Sequence, residues 1–256
     1  MAYIEEKCIA GSVVTIRKYY TFKHNCKGEK REKRSHLTSE AQKKVNIRIA
    51  ERNLAALMNS NFTDDTGMLV TFTYKKDLRP PTSDAMQKDM RQFLKKLRTQ
   101  FKKLDMPLKY IYVKELGKKG GAHIHMLMSA CDVRILRDCW TSGYVRIDPL
   151  WSDGDYTNIA RYFIKYTQRT EETEGCLVGR RWNSSKNLCK PKIIKKAVNS
   201  NTFSTKVRKI TIAKYQRNGF TFVAGEEYEG YTIFGFKYYE CKFFRKTQNL
   251  EHEGRR

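Results

Sequence analysis

The chain has no apolar run approaching the roughly 20 residues a membrane span needs. It has no Cys-x-x-Cys pair, an odd number of cysteines (seven), five prolines, five histidines and few acids: 27 Asp and Glu against 51 Lys and Arg. Each shortage excludes something. Without a long apolar segment a helical membrane protein is excluded, and the start MAYIEEKCIAGSVV shows no basic region ahead of an apolar stretch, so no secretory leader is expected. Seven cysteines in 256 residues without paired spacing argue against a disulfide framework or a zinc module. They read as reduced thiols of a cytosolic protein. An aromatic share of 12% argues against disorder and collagen.

What is present is positive charge everywhere. The formal net charge is +24. Residues 1–60 carry 13 basic and 6 acidic side chains, residues 61–170 carry 20 and 12, and residues 171–256 carry 18 and 9. A solvated basic face explains any one stretch. A surplus in all three points to a polyanionic partner, most simply nucleic acid. No basic amphipathic helix with a Trp or Phe edge stands out, so a membrane surface is not expected as a partner.

Periodicity gives the elements. Residues 12–24 read as a β segment, followed by a polar stretch over 25–37. Ser39 and Gln42 form a capping box for a helix whose face is Val45, Ile49, Leu54, Leu57 and Met58. Residues 68–74 are β-branched and aromatic, hence a strand. After Pro80-Pro81, Ser83 is placed to cap a helix over 84–104. Its stripe of Met86, Met90, Phe93, Leu94, Leu97, Phe101 and Leu104 has the 3.6-residue period of a core face. Residues 108–116 and 122–129 form two strands joined by the turn Gly117–Gly121. A short helix near 132–140, a strand over 144–150 and a helix over 158–169 capped by Asp155 or Thr157 follow. Residues 171–200 read as a polar, basic connection and 205–245 as β-like. The fold class is α+β: a central antiparallel sheet with flanking helices. The expected organisation is a basic N-terminal region over 1–60 packing on a core domain over 61–170, then a basic, β-rich region over 171–256.

The chemistry concentrates in the hairpin. His123 and His125 lie two apart, so on a strand they share a face. If the turn centres on Lys119, paired positions sum to 238, and Glu115 falls opposite His123. Side chains directly opposite share a face, about 5 Å apart at Cβ. Two imidazoles and a carboxylate then converge as a candidate divalent-metal set. A slip of one residue would send Glu115 to the other face. His24, His36 and His252 have no comparable neighbours. The alternative, ordinary polar strand residues, stays open on the hairpin alone. A cupin oxygenase reading fails because Met126–Ala130 offer no further carboxylate and no later His follows in the required place. Downstream, Tyr162 and Tyr166 lie one helical turn apart with Lys165 adjacent. They are candidate nucleophiles with a cation, or simply half-buried packing residues.

The order Leu69-Val-Thr-Phe-Thr-Tyr74, then Glu115 with His123-Ile-His125, then Tyr162-Phe-Ile-Lys165-Tyr166 resembles the HUH endonucleases, specifically rolling-circle replication initiators (Rep proteins). The resemblance is nearest to initiators of small single-stranded DNA phages and related plasmids, and Trp140-Thr-Ser-Gly143-Tyr-Val145 looks like the family's stretch between its second and third motifs. It covers residues 68–169. It implies a ferredoxin- or RRM-like nuclease core in which Glu115, His123 and His125 hold Mn²⁺ or Mg²⁺ against the scissile phosphate. Tyr162 attacks to leave a 5′-phosphotyrosine and a free 3′-OH, Lys165 stabilises the phosphate, and Tyr166 serves a second strand transfer. It also implies single-stranded and duplex origin DNA as partners, a separate helicase and DNA polymerase, and a bacterial host cytoplasm. No G-x-x-x-x-G-K-[ST] is present, so a fused helicase is not indicated. Two competing readings are a non-catalytic nucleic-acid-binding protein and a single-tyrosine HUH transposase.

Overall fold

A computed structural model of the chain describes residues 2–22, 39–117, 121–150, 154–175, 180–232 and 234–245. In chain order the strands and α-helices are β1 (Ala2–Ala10), β2 (Val13–Thr21), α1 (Glu40–Asn59), β3 (Gly67–Tyr74), α2 (Ser83–Lys103), β4 (Tyr110–Leu116), β5 (Ala122–Ser129), α3 (Val133–Cys139), β6 (Gly143–Asp148) and α4 (Thr157–Glu174). Then come β7 (Asn183–Ser184), β8 (Lys192–Val198), α5 (Thr205–Arg217), β9 (Thr221–Phe222), β10 (Tyr228–Tyr231) and β11 (Lys237–Phe244). The fold is α+β with two antiparallel sheets. It divides into two units: residues 44–152 with 156–189, and residues 1–43 with 153–155 and 190–256.

The first unit is built on a five-stranded antiparallel sheet ordered β6-β3-β5-β4-β7. Strand alternation assigns its two faces. Val70, Phe72 and Tyr74 of β3, with Ile124, Met126 and Met128 of β5, lie on one face. They meet the apolar stripe of α2 (Met86, Met90, Phe93, Leu94, Leu97 and Phe101) together with Leu136 and Trp140. Burying a single side chain such as Phe93 contributes about 2–3 kcal/mol. The opposite face presents Ile111, Val113 and Leu127 to Leu54 and Met58 of α1 and to Ala160, Phe163 and Ile164 of α4. A central sheet between helical layers is thus what the alternating pattern encodes.

Helix ends refine the expectations. Ser39 does cap α1, its hydroxyl accepting from Gln42 N at 3.3 Å. The face of α1 is buried only in its second half, at Leu54, Ala55 and Met58, while Val45 and Ile49 are exposed. The cap of α2 is Thr82, whose Oγ1 accepts from Ala85 N at 3.2 Å. Ser83 sits inside the first turn, its backbone N and hydroxyl donating to Glu174 at the far end of α4 at 2.6 and 2.7 Å. The α4 cap position is Tyr156, with no side-chain cap bond, rather than Asp155 or Thr157. Tyr156 is held instead by its backbone N to Asn59 and its phenol to Asp64, both at 2.8 Å.

The second unit carries a six-stranded antiparallel sheet, β10-β11-β2-β1-β8 with β9 on β11. Here the structure departs from the sequence reading. The boundary expected at residue 60 is not the observed one: β1 and β2 form a hairpin, and β1 pairs along its other edge with β8, Tyr3 opposite Val198. β8 lies inside the stretch read as a polar connection, and α5 inside the stretch read as β-like. Both differences have one cause. KIIKKAV has no residue buried, and α5 has none either, so neither shows a clean apolar face. The polar stretch 25–37 and the histidines His24, His36 and His252 lie outside the described residues. Among the described residues no helix is long and apolar enough to cross a membrane.

Candidate active site

The site grows from the polar end of the α4 side of the five-stranded sheet. Alternation puts Leu69, Thr71 and Thr73 of β3 on that face, with His123 and His125 of β5 and Glu115 of β4. The β4–β5 register pairs Glu115 with His123 and Val113 with His125, as the sum of 238 predicts. Residues 118–120 of the turn lie outside the described residues. The hairpin closes where Gly117 N donates to Gly121 O at 2.8 Å.

Each imidazole is held from behind. Thr71, opposite His125, places Oγ1 at 3.2 Å from its Nδ1. Thr73, opposite His123, does the same at 3.3 Å. With Nδ1 occupied, Nε2 is the nitrogen left to face the cleft, an arrangement in which a second ligand fixes ring orientation. His125 Nε2 lies 2.9 Å from Glu115 Oε2, and the other carboxylate oxygen accepts from Arg169 Nη1.

Helix α4 closes the site. The ring of Tyr166 stacks on His125 with centroids 3.9 Å apart and planes 12° from parallel. The Arg169 guanidinium, one turn further on, lies 5.6 Å from the Tyr166 ring centre. Tyr162 is 58% exposed and lines the same cleft. The cleft has a volume of about 420 Å³, and Arg146, Asp148, Ile159 and Phe163 complete its wall. Lys165 is exposed on α4 and does not line it.

The local electrostatics follow from these contacts. Burial pushes the Glu115 carboxyl upward, but hydrogen bonds from His125 and Arg169 outweigh it, so its pKa falls below the usual carboxylate value. Burial lowers the pKa of His123, with the Glu115 charge opposing in part. Burial, then the Glu115 charge, raises the Tyr166 phenol. The structure therefore brings together Glu115, His123, His125, Tyr162 and Tyr166 and leaves Lys165 outside the cleft. It adds Thr71, Thr73 and Arg169. Arg169 follows Tyr162 by seven and Tyr166 by three, a helical spacing that places it on their face.

For a divalent cation the donors are chemically suitable: two imidazoles oriented through Nδ1, and a carboxylate beside one of them. The carboxylate is engaged by His125 and Arg169, and among the described residues no group of three His, Cys, Asp or Glu side chains is arranged to hold a metal. Binding an ion would require Glu115 to exchange one of those contacts.

Residues 67–171 match a family of replication-associated proteins, the ORF2 family. The matched stretch, less than half of the chain, runs from the first residue of β3 through Glu171 in α4 and contains every residue of the cleft described above. The match is consistent with a rolling-circle replication initiator and supports a role in initiating DNA replication. Searches of curated proteins and of solved structures gave no match.

Proposed function

We propose that the protein nicks and rejoins single-stranded DNA at a replication origin through a covalent 5′-phosphotyrosine. The observation that carries this reading is the exposed Tyr162 phenol in the same cleft as His123, His125 and Glu115. Tyr162 Oη would attack the scissile phosphorus, losing its proton. The O3′–P bond would break, and O3′ would leave to become a 3′-OH. In rejoining, a 3′-OH would attack the same phosphorus and release the phenol. The phosphotyrosine retains the energy of the phosphodiester, so no nucleotide cofactor is needed.

His123, His125 and Glu115 would hold Mn²⁺ or Mg²⁺, which when bound would supply Lewis-acid polarisation of the phosphate. Thr71 and Thr73 would keep both rings facing the cleft. Tyr166 is stacked on His125, so it would position that imidazole, and a second attack by its phenol would require it to leave the stack. Lys165, on the exposed side of α4, would meet DNA phosphates outside the cleft. A separate helicase and DNA polymerase would open and copy the duplex.

The test is a denaturing gel with Mn²⁺ and single-stranded origin DNA, comparing wild type with Tyr162→Phe, Tyr166→Phe and His125→Ala. An adduct that survives SDS and vanishes in Tyr162→Phe and His125→Ala supports the assignment. An adduct lost only in Tyr166→Phe exchanges the two tyrosines. Binding without any adduct refutes the reaction.

A further inference from the structure

The second unit presents a surface of a different kind. Between Lys190 and Arg217 there are nine basic residues and no acid. The basic side chains of β8 are partly neutralised: Lys195 Nζ lies 3.2 Å from Glu6 and Lys196 Nζ 2.9 Å from Glu5. Those of α5 divide by face. Arg208 turns inward, paired with Glu229 and 4.7 Å from the Tyr239 ring centre. Tyr215 turns inward too, stacked on Phe243 at 4.3 Å. These contacts, with Ile212 and the Ser204 cap, seat the helix on its own sheet.

The outer face has no such partners. Lys206, Lys209, Ile210, Ala213, Lys214 and Arg217 follow the i, i+3, i+4, i+7 spacing of one helical stripe. Ile210 is 54% exposed. Among the described residues, Lys206, Lys209, Lys214 and Arg217 form no ion pair. The four cations extend over about 16 Å of helix at about 1.5 Å per residue. They flank two small or aliphatic side chains.

We infer that this outer face of α5 is a second DNA-binding surface, separate from the cleft, which takes the major groove of duplex DNA. Charge complementarity selects a polyanion, and the shape selects the duplex. A convex helix about 10–12 Å across suits a major groove about 12 Å wide. Cations flanking the stripe would meet phosphates on either side, and Ile210 and Ala213 would face base edges, where apolar side chains contact thymine methyls. Single strands are bound through aromatic stacking, and the aromatic residue of α5, Tyr215, is turned away onto Phe243. The deep, narrow major groove of an RNA duplex does not admit a helix.

The experiment uses the full chain and fluorescence anisotropy with a labelled mixed-sequence DNA duplex, a labelled single strand and anionic phospholipid vesicles, each over a salt series. The variants are Lys206→Gln/Lys209→Gln/Lys214→Gln/Arg217→Gln and, separately, Lys209→Gln/Lys214→Gln. Thermal unfolding checks that both remain folded. Each phosphate contact contributes about 0.9 to the salt slope. The quadruple variant should therefore lower the duplex slope by about 3–4 and weaken duplex binding by on the order of tenfold or more, and the double variant should lower the slope by about 2. Single-strand affinity and adduct formation should change less than about twofold. An unchanged duplex slope in the folded double variant overturns the proposal. So does an equal loss for single strand and duplex, or a loss confined to vesicles. Failure of adduct formation in wild type would bear on the nicking reaction alone.

Discussion

Gly143 to alanine is the sharpest structural test of how the site is held. Gly143, the first residue of β6, pairs with Tyr74 at the end of β3. A Cβ built on Gly143 would lie 1.8 Å from the carbonyl oxygen of Thr73, 2.8 Å from its carbonyl carbon and 2.9 Å from Cα of Tyr74. The first distance is roughly 1.5 Å short of a tolerable carbon–oxygen contact. All three neighbours are backbone, so no rotamer can relieve the clash, and the β3–β6 ladder must open at this end. Overpacking of this kind costs about 1–3 kcal/mol. Two ladder hydrogen bonds lost with it cost about 1 kcal/mol each. The smaller entropy of an unfolded chain with alanine offsets about 0.5 kcal/mol. The net expectation is a loss of about 3 kcal/mol, a large part of a typical domain's 5–15 kcal/mol.

The consequence reaches the cleft, because the carbonyl struck belongs to Thr73, whose hydroxyl holds His123 Nδ1. The same carbonyl lies 3.4 Å from Trp140 Nε1. Urea unfolding followed by circular dichroism gives the stability change, and tryptophan fluorescence reports the environment around Trp140. Gly67→Ala is the control. Its Cβ would meet Leu150 Cδ1 at 2.8 Å, the end of a movable side chain, and Thr63 O at 3.1 Å, for about 1 kcal/mol. A Gly143→Ala protein within about 0.5 kcal/mol of wild type at unchanged m-value, or one no worse than Gly67→Ala, would refute the reasoning.

Three further outcomes are expected. Thr71→Val and Thr73→Val each remove the hydroxyl facing an imidazole Nδ1, and adduct formation should fall about 10–100-fold while DNA binding stays near wild type; equal rates would show that the hydroxyls do not orient the rings. Tyr166→Phe keeps the stack on His125 and Tyr166→Leu removes it, so the histidine ring signals in an NMR spectrum should move more in the second variant. The Glu115 carboxyl is depressed in the folded state, so its ionisation stabilises the fold above the ordinary carboxylate pKa, and that contribution is lost as pH falls through the lower folded value. Arg169→Ala should move the Glu115 midpoint upward and shrink that acid-side dependence, read by carbon-detected NMR titration; an unmoved midpoint would mean that Arg169 does not set it.

Local physics makes much of the cleft legible in the sequence. A hairpin with a five-residue turn has one register in which Glu115 faces His123, and side-chain alternation then places both histidines together. The stripe on α2 announces its own burial because a 3.6-residue period has one fitting partner, an apolar sheet face. Tyr162 and Tyr166 share a face for the same geometric reason. The division of labour between them is not legible. It depends on how α4 lies across the sheet, which leaves Tyr162 exposed, sets Tyr166 flat on His125 and brings Arg169 to Glu115.

Composition and periodicity by themselves determined a basic, α+β protein with a two-histidine hairpin and a tyrosine helix. Tertiary structure alone decided that β1 pairs with β8, far along the chain, and that the α5 segment, rich in Val, Ile, Thr and Tyr, is a helix. Strand pairing between distant segments leaves no mark in either segment's own period. A short helix whose inner contacts are few, Ile212 and Tyr215 on the sheet and Arg208 on Glu229, takes its conformation from those contacts rather than from its propensity.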